Sequence, residues 1–213
     1  MISDLPPKIW LPSKPAIIRP APIQRANFVP GMFPGLMMAA AAGGTPQETG
    51  FTLVGAGATV DTGGSVWSNP GNITADDGSN ATCSVGSGFG GTTGDTLRGS
   101  TLGFSIPGGA TIDGIELRLQ LSYTAVIGGV PTIASVNLGK DDSTLATAKT
   151  PGTSLTTTPT NYDFGGSADS WGLSWTPAEI NASTFQGLLV AANAGFGATV
   201  NCDAMWMNVH FTA

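Results

Sequence analysis

The chain has 213 residues, a formal net charge of −6 and a mean hydropathy of +0.16, with 10% charged residues against roughly 25% in ordinary soluble domains. That length supplies one sizeable domain with residues to spare. After residue 46 there are four bases against thirteen acids. This leaves no positive face for nucleic acid.

Residues 1–46 differ from the rest. They hold nine of the fifteen prolines and four of the eight bases, and Asp4 is their one acid. Pro6, Pro7, Pro12, Pro15, Pro20 and Pro22 fix φ and remove backbone donors, so neither a helix nor a central strand can form there. A polyproline-like extended arm is the remaining option. Disordered linkers seldom carry a Trp and so many Ile and Leu residues. The arm, taken as residues 1–48, therefore reads as a strap that gains order on another surface. Its contact residues are Ile9, Trp10, Leu11, Ile17, Ile18, Arg19, Phe28 and Phe33. Its four bases are too sparse for a polybasic membrane tag. The apolar run Gly35–Gly44 falls well short of the roughly 20 residues that span a bilayer. It also starts too far into the chain for a signal-peptide core, and a short helical turn is expected there.

Residues 49–213 read as one domain of short strands separated by Gly, Asn, Asp, Ser and Thr turns. Strands are expected over residues 51–60, 80–85, 96–106, 112–123, 133–138, 144–149, 161–164, 184–192 and 200–212. The clearest is 112–123, where Ile115, Leu117, Leu119, Leu121 and Tyr123 alternate with Glu116, Arg118, Gln120 and Ser122. A period of two sends the apolar set to a core and the polar set to water. In the last strand Met205, Met207, Val209 and Phe211 share one face, with Cys202, Ala204, Trp206 and His210 on the other. Only residues 175–181 look helical, with Thr176 as N-cap, Pro177 at the first position and Glu179 at the third, the capping-box spacing. This pattern predicts an all-β fold, a jelly-roll-like β-sandwich preceded by the arm. A closed up-and-down barrel is the alternative.

Catalytic chemistry has little to stand on. His210 is the single histidine, with no Asp or Glu close to it in sequence, and no nucleophile elbow, phosphate loop or zinc-helix motif occurs. No catalytic residue, metal ligand or cofactor is assigned. The glycine run Gly86–Gly91 lacks a strand–helix setting and reads as a loop. Asp76-Asp77 and Asp141-Asp142 read as acidic turns, with oxygen ligation of Ca²⁺ as the sharper alternative. Asn72, Asn80 and Asn181 head Asn-x-Ser/Thr triplets of the kind a Ser/Thr-rich chain produces by chance. Trp67, Trp171 and Trp175 lie in or beside loops. They are candidate glycan-facing rings, competing with a role as packed lids over the sandwich ends. Cys83 and Cys202 fit two buried thiols or a disulfide between an early strand and the last.

Three stretches carry a family resemblance. Gly103-Phe-Ser-Ile-Pro-Gly-Gly-Ala-Thr-Ile-Asp-Gly-Ile-Glu-Leu-Arg-Leu119 is followed by Gly165-Gly-Ser-Ala-Asp-Ser-Trp-Gly172 and then by Trp175-Thr-Pro-Ala-Glu-Ile-Asn181. Together with the terminal Val209-His-Phe-Thr212, they resemble a β-sandwich module of tailed-phage virion structural proteins. The resemblance covers roughly residues 65 to 213. The arm segments Pro15-Ala-Ile-Ile-Arg-Pro20 and Pro30-Gly-Met-Phe-Pro-Gly35 are similar to N-terminal segments of small virion proteins. The resemblance implies a non-enzymatic structural or adhesive role in a virion assembled in the host cytoplasm, of capsid-decoration, head-spike or fibre type. The expected partners are the major capsid or other virion proteins and further copies of the chain, a trimer being favoured. A host surface glycan is the expected ligand of the alternative role, a receptor- or glycan-binding module of a tail, neck or head fibre. Nucleic acid and membrane are not expected partners.

Overall fold

The computed structural model describes residues 44–86, 91–125 and 129–213. The eight contact residues expected in the arm lie outside them. The strands, in chain order, are β1 (Pro46–Glu48), β2 (Thr52–Leu53), β3 (Ala56–Val60), β4 (Ala81–Val85), β5 (Thr92–Thr93), β6 (Thr96–Ser100), β7 (Thr111–Ala125), β8 (Thr132–Gly139), β9 (Thr153–Ser154), β10 (Thr160–Gly166), β11 (Gln186–Asn193) and β12 (Ala198–Thr212). Among the described residues a 3₁₀ turn occupies Pro70–Ile73, and a short helix, α1, occupies Pro177–Ile180.

The strands form two antiparallel sheets, a jelly-roll-like β-sandwich. Sheet A runs β1-β12-β7-β10, and sheet B runs β3-β6-β11-β8-β9, with β5 added beside β11. The 15-residue β12 organises sheet A. One edge pairs with β7 along almost its whole length, while β4, β2 and β1 pair in turn along the other. The alternation read in residues 112–123 is realised in β7. Ile115, Leu117, Leu119 and Leu121 are buried between the sheets with Met205, Met207 and Val209 of β12 and with Leu97, Val136, Leu138 and Leu189 of sheet B. Each such side chain removed from water contributes about 1.5–3 kcal/mol.

Several expected elements take a different form. The stretch 51–60 is not one strand. It splits into β2 in sheet A and β3 in sheet B, and Gly55 makes the crossing, its N–H donating to Ser100 O and Thr101 O. A Cβ there would sit 2.6 Å from Thr101 O, closer than any side chain tolerates. The strand expected over 96–106 stops at Ser100, because Thr101 (φ 61°) and Gly103 (φ 69°) turn the chain into the left-handed region. Leu102, Phe104 and Ile106 still reach the core. Asn181 replaces the missing ladder, accepting from Ile106 N–H and donating to Ile106 O, both at 2.9 Å. Residues 144–149 make only isolated bridges, Gly139 with Leu145 and Val136 with Lys149.

The helix forms as its sequence predicts. Thr176 Oγ1 accepts from Glu179 N–H and the Glu179 carboxylate accepts from Thr176 N–H at 2.8 Å. At the other end of the chain, Thr45 and Ala213 exchange both backbone hydrogen bonds, and Pro46–Glu48, the last residues assigned to the arm from sequence, form β1 against Thr212–His210.

Candidate functional site

The face of sheet A turned away from the core carries a cluster of polar and charged side chains around one tryptophan. Its orientation is set by a β-bulge. The register of β12 against β7 shifts between Cys202 and Ala204, so Asp203 is an extra residue and the in–out alternation changes phase there. Val200 and Cys202 point into the core before the bulge, and Met205, Met207 and Val209 do so after it. Cys202 therefore does not share a face with Trp206, contrary to the simple alternation expected from sequence. Trp206, Asn208 and His210 face outward.

Trp206 lies opposite Leu53 of β2 on one side and Arg118 of β7 on the other. The Arg118 guanidinium grips Asp163 of β10 in a two-pronged pair at 2.7 and 2.8 Å and lies 3.8 Å over the Phe51 ring. The hydrogen bonds to Asp163 raise its pKa above the ordinary arginine value. Trp206 is half-buried, and its indole N–H has no protein acceptor among the described residues.

Two residues further along β12 the surface becomes acidic. The buried Asn208 Nδ2 donates to Glu48 Oε2 at 2.9 Å and to Glu116 Oε2 at 3.1 Å, drawing together carboxylates from β1 and β7. His210 Nε2 lies 3.3 Å from Glu116 Oε2, and Nδ1 lies 3.7 Å from Glu48 Oε2. Sequence distance concealed these acids, which strand pairing brings to the single histidine. At the opposite end of the face, Gln120 donates to Asp203 Oδ2 at 2.8 Å and to Asp76 Oδ1 at 3.3 Å with its amide nitrogen turned toward them. Burial pushes the Asp203 carboxyl up, and Asp76 adds to this. The Gly78 N–H at 3.1 Å opposes the rise without cancelling it.

The candidate glycan-facing tryptophans lie elsewhere and are not available to a ligand. Trp67 and Trp171 are 2% exposed and Trp175 is 8% exposed. Each indole N–H is spent on a backbone carbonyl: Trp67 on Asp95 at 2.8 Å, Trp171 on Ile115 at 2.9 Å and Trp175 on Ser170 at 2.8 Å. Trp175 also stands edge-on to Phe185, with ring centroids 5.4 Å apart. Trp171 has φ 55° and is fixed on both sides: its N–H donates to Asp169 Oδ1, and Lys149 Nζ sits 4.5 Å over its ring. Burial acts to raise the Asp169 carboxyl, but Lys149 and the Trp171 N–H outweigh it and hold the group below the usual range. These three rings are packed corners of the sandwich.

The Cys83–Cys202 disulfide is not formed. Strand register sets Cys83 opposite Val200 and Cys202 opposite Ala81, and both cysteines are buried free thiols. Burial pushes the Cys83 thiol up to about 11, with Asp95 adding to it, and burial raises Cys202 further still.

The acidic turns are closed by their own backbone. Asp77 Oδ1 accepts from Ser79 N–H, and Asp141 Oδ1 accepts from Ser143 and Thr144, which holds its carboxyl low. Asp142 pairs with Arg98. Among the described residues no group of three or more His, Cys, Asp or Glu side chains is placed to hold a metal ion, and no helix is long and apolar enough to cross a membrane. The glycine run 86–91 lies mostly outside the described residues.

No protein-family model and no curated protein matches the chain. Solved structures similar to it include a CBM4 carbohydrate-binding module, 14% identical over 74% of this chain and 93% of that one, with a TM-score of 0.37. TmCBM61, solved in complex with β-1,4-galactotriose, is 8% identical over 76% of this chain and 86% of that one, with a TM-score of 0.36. A chain of infectious bursal disease virus, Gt strain, is 13% identical over 84% of this chain but 40% of its own length, with a TM-score of 0.31. At such TM-scores none of them bears on what this chain binds.

Proposed function

We propose that this chain is a non-enzymatic saccharide-binding β-sandwich module whose ligand lies across the outer face of sheet A, over Trp206. One observation carries the reading. Of the four described tryptophans, three are buried and donate to backbone carbonyls, whereas Trp206 keeps a half-buried ring and an unpartnered N–H among polar side chains. A buried or interfacial indole N–H ordinarily finds an acceptor, and a sugar hydroxyl supplies one while the sugar's C–H face stacks on the ring. Glu48 and Glu116, at the edge of the platform, provide acceptors for further hydroxyls, and few polar groups around an apolar surface are what orient a small ligand.

The sequence resemblance supports a setting for such a module. On this reading it is a component of a tailed-phage virion, a capsid-decoration, spike or fibre protein, held by its arm to capsid or other virion proteins and clustered in several copies. Clustering strengthens weak individual sugar contacts through multivalency.

The test is isothermal titration of the full chain with soluble polysaccharides. Trp206→Ala is expected to lower affinity by about tenfold with an unchanged circular dichroism spectrum. Full affinity in a folded Trp206→Ala protein would remove the site from this face.

A further inference from the structure

The charges on this face go beyond the presence of a sugar platform and bear on which sugars it accepts. The charged groups on this face around Trp206 are Glu48 of β1, Asp113 and Glu116 of β7, Asp163 of β10, Arg118 and His210, with Asp203 and Asp76 gathered by Gln120 at its opposite end. Arg118 is consumed by its two-pronged pair with Asp163, and Asp113 accepts from Thr212 Oγ1 at 2.7 Å. Glu48 and Glu116 have no two-pronged cationic partner: the Arg118 charge acts on Glu116 only at a distance, and His210, within ion-pair range of both, is a cation only when protonated. What holds them together is one neutral amide, Asn208, with the His210 ring alongside. Both bonds from Asn208 go to the Oε2 atoms, and among the described residues the Oε1 atoms have no protein donor. The Glu48 side chain is 59% exposed. Two carboxylates are therefore held within reach of one small ligand group, about two residues or roughly 7 Å along the strand from the ring.

We infer that the face selects saccharides by charge, accepting sugars that carry a protonated amine in preference to neutral ones and rejecting sugars that carry a carboxylate or sulfate. This rests on the saccharide reading of the same face. An ammonium group on the sugar unit next to the ring would meet both glutamates, whereas an acidic sugar would bring a further negative charge to a face where Arg118 is already held by Asp163 and His210, when protonated, is shared by the two glutamates themselves. Like-charge juxtaposition of this kind is an effective means of discrimination.

The experiment compares hexasaccharides of matched size by titration calorimetry in weakly acidic buffer of low ionic strength. The probes are glucosamine, N-acetylglucosamine, glucose, galactose and galacturonate hexamers, each tested on the wild type, Trp206→Ala and the Glu48→Gln/Glu116→Gln double variant. Glucosamine hexamer is expected to bind about fivefold more tightly than its N-acetyl counterpart, and galacturonate hexamer more weakly than either. The amine advantage is expected to vanish in the double variant and to shrink with added salt. Equal affinity for the amine and N-acetyl forms, or galacturonate binding as tight as the neutral sugars, would overturn the charge selection while leaving the platform standing. Binding by no probe at all, or binding unaffected by Trp206→Ala, would overturn the platform itself and the selection with it.

Discussion

Side chains of one residue type do different work in this protein because their hydrogen-bond partners differ. Trp171 closes a corner: its indole N–H reaches Ile115 O across the sheet, and Gly165 makes room for it, since a Cβ at Gly165 would lie 2.8 Å from that nitrogen and 2.1 Å from Ile115 O. Trp171→Ala is expected to lose about 3–5 kcal/mol, read as a lower midpoint in urea or heat, whereas the same change at Trp206 acts on ligand affinity. Asp203 gives the clearest pH effect. Its carboxyl is raised in the folded protein, so its stabilising contribution is present when it is protonated, at acid pH. That contribution is lost as pH rises from the ordinary carboxylate range through the raised value. Asn at this position keeps an acceptor for Gly78 N–H and removes the repulsion with Asp76. Asp203→Asn is expected to raise the thermal midpoint at neutral pH, by about 2–4 °C for each kcal/mol relieved, and to gain little in acid. A variant that gains equally at both pH values would contradict the assignment.

At the scale of elements, β12 decides the geometry. Its central alternation was legible, and Met205 and Met207 flank Trp206 in the pattern of a strand with one wet face. The bulge at Asp203 was not legible, because an extra residue in a ladder is specified by its partners: Thr74 bridges Ala204 while Gly78 donates to the Asp203 carboxylate. The helix could be read from its caps, since all the groups involved lie within four residues. The division of 51–60 between two sheets could not, because both halves are apolar and β-prone and the switch depends on the distant Ser100 and Thr101 carbonyls. The Trp residues beside loops were legible as a choice between lid and ligand platform, and burial places all three among the lids. The carboxylates at His210 were invisible in sequence because they arrive from β1 and β7. β1 also sets where the chain can be cut. A chain starting at Gly44 keeps β1 and the Thr45–Ala213 bonds and is expected to melt as the full chain does. One starting at Gly50 loses β1 and the Asn208–Glu48 contact and is expected to melt several degrees lower. Equal midpoints for the two truncations would show that β1 contributes nothing to the sandwich.

The whole molecule combines a domain poor in charge and rich in glycine, serine and threonine with a basic, proline-rich N-terminal stretch. Thirteen acids against four bases after residue 46 make the sandwich a poor partner for polyanions and agree with a face that disfavours acidic sugars. The proposed virion role asks the arm to bind a protein surface while the sandwich presents sheet A, and few exposed cations limit nonspecific attachment to other polyanions. Whether a ligand reaches Trp206 is read from a ¹⁵N spectrum of the indole N–H groups of the full chain. Trp206 is assigned by comparison with Trp206→Phe, and the chain is titrated with neutral and amine-bearing hexasaccharides. The Trp206 signal is expected to shift progressively with ligand while those of Trp67, Trp171 and Trp175, already bonded to carbonyls, stay in place. A stationary Trp206 signal, or shifts confined to the other tryptophans, would contradict the proposed site.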